Sequence, residues 1–438
     1  MNEPIKFVYH TEKISTELPR VLLEYVRELK DILEQNSEGY PYHDHLIKLA
    51  RDRKIFAEAE TVASKYKTKD LKYVIVVGIG GSNLGTKAIY DALRGQLDLL
   101  GAVSPKMLFA DTISAPLLSD MITLLEQNVQ SPSEIVINLV SKSGGTTESV
   151  ANFELLYHAL VQRFPNIGTR IIVTTDAGSN LWNEAQRLGF GSLPIPKEVG
   201  GRYSIFSSVG ILPLLLANID VESLLGGASE ILSFCVDENI EKNPALKASG
   251  VMHEAHRSGA VIHNIFLFNP ELESLGKWER QLIGESIGKE RDIDGNVIRA
   301  GITPIVSIGS TDLHSMAQLY FGGPKDKFTM LVHAPMNELL RLPEEGVFHG
   351  LVEGLPGKTP NDIMQAIIGG VRAAYKKNDL PFMDVEFAEI SPRSLGAYLM
   401  WRMITIMYLA KFLHVNAFDQ PNVEDYKTTT KELLLGRA

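Results

Sequence analysis

At 438 residues with 45% apolar side chains, the chain is long enough to fill more than one hydrophobic core, and disorder is excluded. A net charge of -10 lacks the positive footprint of a general nucleic-acid or membrane-surface binder, so an anionic ligand must be met by local cations. The single cysteine, Cys235, excludes an intramolecular disulfide and a Cys-rich metal site; with an N-terminus that has no basic start and apolar core, it points to the cytoplasm.

Residues 1–55 read as charged and helical, with Leu22, Val26, Leu29 and Leu33 at helix spacing and no strand-like run. Short β-branched runs follow at 73–77, 107–110, 135–140 and 171–175, separated by helix-length segments, the pattern of a parallel sheet covered by helices. The run 73–77 opens into Gly78, Ile79, Gly80, Gly81, Ser82, Asn83, Leu84 and Gly85. These glycines do not keep the spacing of a dinucleotide fingerprint, but they suit close backbone approach to a sugar phosphate, with Ser82 as a further donor. The run 135–140 opens into Ser141, Lys142, Ser143, Gly144, Gly145, Thr146, Thr147, Glu148 and Ser149 ahead of a helix-like segment. Converging backbone N–H groups, hydroxyl donors and a helix N-terminus together make a phosphate cradle, while plain helix capping by Thr or Ser is the simpler use of the same residues. Both loops follow carboxyl ends of strands, where open parallel sheets bind ligands.

Next comes Gly200, Gly201, Arg202, Tyr203 and Ser204, which would hold a cation on rigid backbone to meet developing negative charge. Gly226 and Gly227 mark a seam, after which strand candidates recur at 261–268, 303–308 and 328–332, giving two α/β units at 56–225 and 226–438 behind the 1–55 segment. Between them Gln281 and Glu285 stand four apart on one helix face, placing Glu285 as a candidate base. His314 follows the 303–308 strand. The apolar stretch 395–413 contains Arg402 and Lys411 and reads as a core helix rather than a membrane span. Finally Phe418, Asp419, Gln420, Pro421 and Asn422 lead to Lys427, with Gln420 and Lys427 spaced as a pair on one helix face. His43 with His45, and His253 with His256, lack a supporting ligand set and read as surface or helix-face residues, so no metal is expected.

Taken in order, the Gly78 loop, the Ser141 to Ser149 loop, the Arg202 cluster, Gln281 with Glu285 and Ser286, His314, and the Phe418 to Lys427 segment resemble the phosphoglucose isomerase family in its shorter bacterial form. The resemblance covers nearly the whole chain. It implies two flavodoxin-like sugar-isomerase (SIS) domains of α/β type, with the N-terminal segment packed on the second, and a homodimer whose active sites lie between subunits. It implies phosphate binding at Ser82, Ser141, Ser143, Thr146 and Ser149 with the Lys142 backbone helping, a substrate contact at Gly81, and positions around the reacting carbons for Arg202, Gln281 and Gln420. Glu285 would move the proton, Arg202 would stabilise charge, and His314 and Lys427 would open the sugar ring, with no cofactor. Two departures, Gly144 with Gly145 and Asn422, fall where the family is less glycine-rich and where it usually has Gly; neither removes a reacting side chain. The implied activity is interconversion of glucose 6-phosphate and fructose 6-phosphate. An isomerase that also takes mannose 6-phosphate, and a non-catalytic SIS-domain regulator, remain open alternatives.

Overall fold

The computed structural model describes residues 3–10, 19–35, 39–336, 339–348 and 350–437. Its strands are β1 (Ile5–Tyr9), β2 (Tyr73–Val77), β3 (Lys106–Ala110), β4 (Ile135–Val140), β5 (Ile171–Asp176), β6 (Gly191–Ile195), β7 (Ile262–Leu267), β8 (Lys289–Arg291), β9 (Val297–Ala300), β10 (Thr303–Ile308), β11 (Lys327–His333) and β12 (Phe382–Phe387). One sheet runs β3-β2-β4-β5-β6, every pair parallel. Numbered from its own first strand this is 2-1-3-4-5, the flavodoxin-like order, which reverses between β2 and β4. The second sheet runs β1-β12-β11-β7-β10. Its strands β7, β10, β11 and β12 repeat the 2-1-3-4 order in parallel, and β1 closes the edge antiparallel to β12, Ile5 opposite Phe387 and Tyr9 opposite Met383. Strands β8 and β9 form a separate antiparallel hairpin.

The N-terminal segment is therefore not wholly helical: β1 supplies the fifth strand of the second sheet, completing it from the opposite end of the chain. Nor does the seam expected at Gly226 and Gly227 fall between elements. Both lie inside the helix Val221–Cys235, and a Cβ on Gly227 would sit 1.9 Å from the carbonyl oxygen of Arg393. Gly396 meets the carbonyl oxygen of Leu224 in the same way, also at 1.9 Å. Here glycine lets the helices Val221–Cys235 and Pro392–Phe412 approach backbone to backbone.

Alternation along the first sheet sorts its side chains between two cores. Val74, Val76, Val136 and Val140 join a core shared with Ile265, Leu267, Met330 and Val332 of the second sheet, while Ile75, Val77, Ile135, Ile137 and Leu139 pack on the far side. The shared core is threaded by the helix Pro392–Phe412, whose N-terminus is capped by Ser391. Buried Arg402 on that helix is paired with buried Glu279 at 2.6 Å, the partner a mid-helix arginine requires. Among the described residues no helix is long and apolar enough to cross a membrane. Glu279 belongs to the helix Glu273–Ile287, which packs along Leu84–Arg94, the helix that follows β2. That contact brings the loops of the first sheet beside the Gln281 and Glu285 face.

Candidate active site

The two glycine loops leave β2 and β4, the neighbouring strands at which the order reverses. They touch at their roots: a Cβ on Gly78 would meet the Cβ of Ser82 at 2.9 Å and the carbonyl oxygen of Val140 at 3.0 Å. Beyond β4, Gly144 turns the chain at φ 71°, and the helix Thr147–Arg163 begins without a side-chain cap. Thr146, at the capping position, shares a hydrogen bond with Ser141 Oγ at 2.9 Å instead. Helices Ala115–Asn128 and Asn180–Leu188 of the same unit are capped by Ser114 and Ser179, so capping does not account for the hydroxyls of this loop. Ser149 Oγ is buried without a hydrogen-bond partner among the described residues. First-turn N–H groups and an unused buried hydroxyl suit an anion.

Lys142 is half-buried, and burial lowers its ammonium below the ordinary lysine range; Asp176 and Glu198 oppose that shift while Arg202 and Lys197 add to it. It is the cation on the cradle itself, electrostatically coupled to the Arg202 cluster.

That cluster is built where three segments meet. A Cβ on Gly81 would lie 2.1 Å from the carbonyl carbon of Gly201, so the loop after β2 rests directly on the turn carrying Arg202. Ser204 Oγ ties them, donating to the carbonyls of Gly81 at 3.2 Å and Gly201 at 2.7 Å. The Arg202 guanidinium is buried and spends every arm: Nε donates to Ser286 Oγ at 2.9 Å, and Nη1 to Glu285 Oε2 at 3.1 Å and Gln420 Oε1 at 2.7 Å. Nη2 donates to the carbonyls of Ala417 at 2.7 Å and Asp419 at 3.2 Å. Gln281 Nε2 donates to the other oxygen of Glu285 at 3.0 Å, and its own Oε1 is buried without a partner among the described residues. Glu285 is thus held from both sides, its side chain 37% exposed against 1% for Arg202. A carboxylate so oriented can accept and return a proton, and the fixed guanidinium beside it can meet negative charge on the substrate.

Of the residues singled out in the sequence, Gly81, Arg202, Gln281, Glu285 and Gln420 come together, with Ser82, Ser141, Lys142, Ser143, Thr146 and Ser149 on the two adjoining loops. His314 and Lys427 do not join them within one chain. His314 is exposed on the short helix Thr311–Ser315, beside a cavity of about 460 Å³ lined by its own neighbours such as Gln318 and Phe321. Lys427 pairs with Glu424 at 2.8 Å. The expected shared face of Gln420 and Lys427 is not found, because the helix begins only at Glu424 and Gln420 turns back to Arg202. Ser286, quoted with Glu285 but given no role, anchors Arg202. Two neighbours were not singled out in the sequence: Asp176 at the end of β5, whose carboxyl burial pushes above its ordinary range, and Lys289.

A family profile described as phosphoglucose isomerase matches residues 32–334. The glucose-6-phosphate isomerase of Carboxydothermus hydrogenoformans is 31% identical over 420 residues, covering 94% of this chain and 88% of its own. Among solved structures, a hypothetical protein of Thermus thermophilus superposes with a TM-score of 0.80 at 29% identity, covering 94% of each chain. A glucose-6-phosphate isomerase of Chlamydia trachomatis gives 0.81 at 19% identity, covering 99% of this chain and 89% of its own, a likeness of fold.

Proposed function

Since this chain belongs to the phosphoglucose isomerase family, we propose that it interconverts glucose 6-phosphate and fructose 6-phosphate. The observation that carries the reading is the fixed Glu285, gripped by Arg202 and Gln281 next to an anion cradle. The substrate phosphate sits against Ser141, Ser143, Thr146 and Ser149, with Ser82, the Gly81 backbone and Lys142 completing the cradle. The reaction moves one hydrogen between C2 and C1 with no net redox change. Glu285 takes the C2 proton as the C1 carbonyl becomes an enediolate, the C2 hydroxyl proton passes to O1, and Glu285 returns its proton to C1 as the new carbonyl forms at C2. Arg202 meets the oxygen charge of the intermediate, because its guanidinium is already fixed and needs no reorganisation. Gln281 and Gln420 orient the sugar hydroxyls.

A closed sugar must first open, with a proton reaching the ring oxygen as the C1 hydroxyl loses its own. His314 and Lys427 are assigned this exchange. Because His314 stands apart from the cluster in one chain, the proposal includes a homodimer in which His314 of the partner subunit completes the site. Uncovered apolar surface supports it: Val347, Phe348 and Leu351 are 95%, 78% and 76% exposed, and the helix Glu424–Leu434 buries no residue. The cytoplasmic location is part of the same reading and rests on the single buried thiol of Cys235.

The test is a discontinuous assay of purified protein on fructose 6-phosphate, scoring glucose 6-phosphate and mannose 6-phosphate. Glucose 6-phosphate as sole product supports the proposal. Both products would mark a broader isomerase, and no turnover by folded protein that still binds the sugar phosphate would mark a regulator.

A further inference from the structure

Lys289 is the first residue after Gly288, which ends the helix bearing Gln281 and Glu285. Its side chain is only 4% exposed. Nζ donates to the backbone carbonyl of Glu285 at 2.8 Å and to the backbone carbonyl of Asp419, and lies 3.0 Å from Asp419 Oδ1. A buried ammonium is costly unless paired, and burial does push this one below the ordinary lysine range, with Asp419 opposing the shift.

The contacts converge on one short segment. The Asp419 carbonyl accepts from Lys289 and from Arg202 Nη2 at 3.2 Å, and the next residue, Gln420, accepts from Arg202 Nη1 at 2.7 Å. Two buried cations therefore share the Asp419 carbonyl oxygen, one just beyond the end of the helix bearing Glu285 and one in the Gly201 turn. Beyond this point the chain is tied by an exposed bond from Asn422 to Glu290 at 3.0 Å and then enters a helix with no buried residue. Arg202 bridges the Gln420 amide and the Glu285 carboxylate through one guanidinium nitrogen, and Lys289 adds a second tie, from the Asp419 peptide to the Glu285 backbone.

We propose that Lys289 is a positioning residue for the isomerisation: by clamping Asp419 to the C-terminal end of the helix Glu273–Ile287, it sets the separation of Gln420 and Glu285 across the reacting carbons. The inference rests on the function proposed above. Among the described residues the Lys289 ammonium bonds to Glu285 and Asp419 and not to the phosphate cradle, so its loss falls on turnover rather than on substrate affinity.

The experiment compares kcat and KM on fructose 6-phosphate for the wild-type chain, Lys289→Met and Lys289→Arg, with thermal melting alongside. Met keeps the length and loses the donors. Lys289 borders a cavity of about 910 Å³, which gives the larger guanidinium room to keep them. A misplacement approaching 1 Å lowers kcat of Lys289→Met by about ten- to a hundredfold, with KM within about threefold of wild type and with Lys289→Arg recovering most of the loss. Wild-type kcat in Lys289→Met, or equal losses in both variants, would overturn the assignment. Should Lys289→Met not fold, Lys289→Gln, a polar side chain one atom shorter and without the charge, is read the same way: reduced kcat at constant KM supports the clamp, and wild-type kinetics overturns it. An inactive wild-type chain would instead refute the isomerase reading itself, and the clamp with it.

Discussion

Replacing Gly81 by alanine tests whether the loop after β2 must rest directly on the Arg202 turn. The added Cβ would stand 2.1 Å from the carbonyl carbon of Gly201, 2.4 Å from its oxygen and 2.5 Å from the backbone nitrogen of Arg202. All three are backbone atoms, so no rotamer change relieves the clash. Ordinary contact begins at 3.4 Å, and the loops must separate by about 1.3 Å, a strain of roughly 1–3 kcal/mol by analogy with overpacked cores. A fold of this size survives that cost. Catalysis does not, because Arg202 carries Glu285 and Gln420 with it, and a displacement near 1 Å is worth about a hundredfold in kcat. Gly200→Ala is the control, since its added Cβ would find nothing nearer than Tyr203 Cδ2 at 3.8 Å. Steady-state turnover of fructose 6-phosphate is measured for both variants, with circular dichroism melting to show that each is folded. Gly81→Ala turning over within about threefold of wild type would refute the reasoning, because the required shift would then not matter to the site.

The remaining expectations concern the cradle, the dimer and the core. Ser149→Ala removes the unpartnered buried hydroxyl and should raise KM, and weaken inhibition by inorganic phosphate, by roughly ten- to a hundredfold, the worth of a hydrogen bond to a charged group; unchanged phosphate affinity would remove Ser149 from the cradle. Mixed dimers of His314→Ala and Lys427→Ala chains should regain activity that neither homodimer has, and no recovery in verified mixed dimers would argue against a shared site. Glu279→Gln leaves Arg402 buried and unpaired and should cost about 3–5 kcal/mol in urea unfolding, whereas Glu279→Leu with Arg402→Met should cost less; equal losses would show that pairing is not what matters there. Acid should destabilise the fold in two stages. Burial keeps His263 below its ordinary value of 6.5, so the unfolded chain takes up that proton first as pH falls. Burial works against the Glu279 and Asp384 carboxylates, yet Arg402 and His263 hold the first below its ordinary range, and His333 and Arg372 the second. Their contribution is present above the unfolded carboxylate range and is lost as pH falls through the lower folded values. A melting temperature that stays flat from pH 7 to about 4 would contradict this sign.

The sequence was most legible where one local rule operates. The apolar run of β4 is buried at every position, and the loop after it sits at the end of a parallel strand, where the sheet's geometry places ligands. Gln281 and Glu285 were legible because four residues make one helical turn, and the side chains do meet at 3.0 Å. Other elements were hidden for physical reasons. β1 has only Ile5 fully buried, and its pairing partner is at the far end of the chain. β12 contains Asp384, whose burial is made tolerable by His10, His333 and Arg372 rather than by anything local. β6 is an edge strand and carries Gly191 and Pro194, residues that weaken a strand pattern. Gly227 and Gly396 look like breakers until the helix crossing they permit is seen. The clamp at Lys289 joins residues 130 positions apart, and nothing local in either segment announces it.

The central claim is that Glu285 carries the proton between C2 and C1. The direct measurement is conversion of fructose 6-phosphate in D2O by chelator-treated protein, following deuterium at C2 of the glucose 6-phosphate by NMR, with Glu285→Gln alongside. The account predicts protium carried from C1 to C2 in the wild-type product, with deuterium at C2 to the extent that the Glu285 carboxyl exchanges with solvent first, and no product for Glu285→Gln that still binds inorganic phosphate. Labelled product formed by Glu285→Gln at a rate near wild type would contradict it.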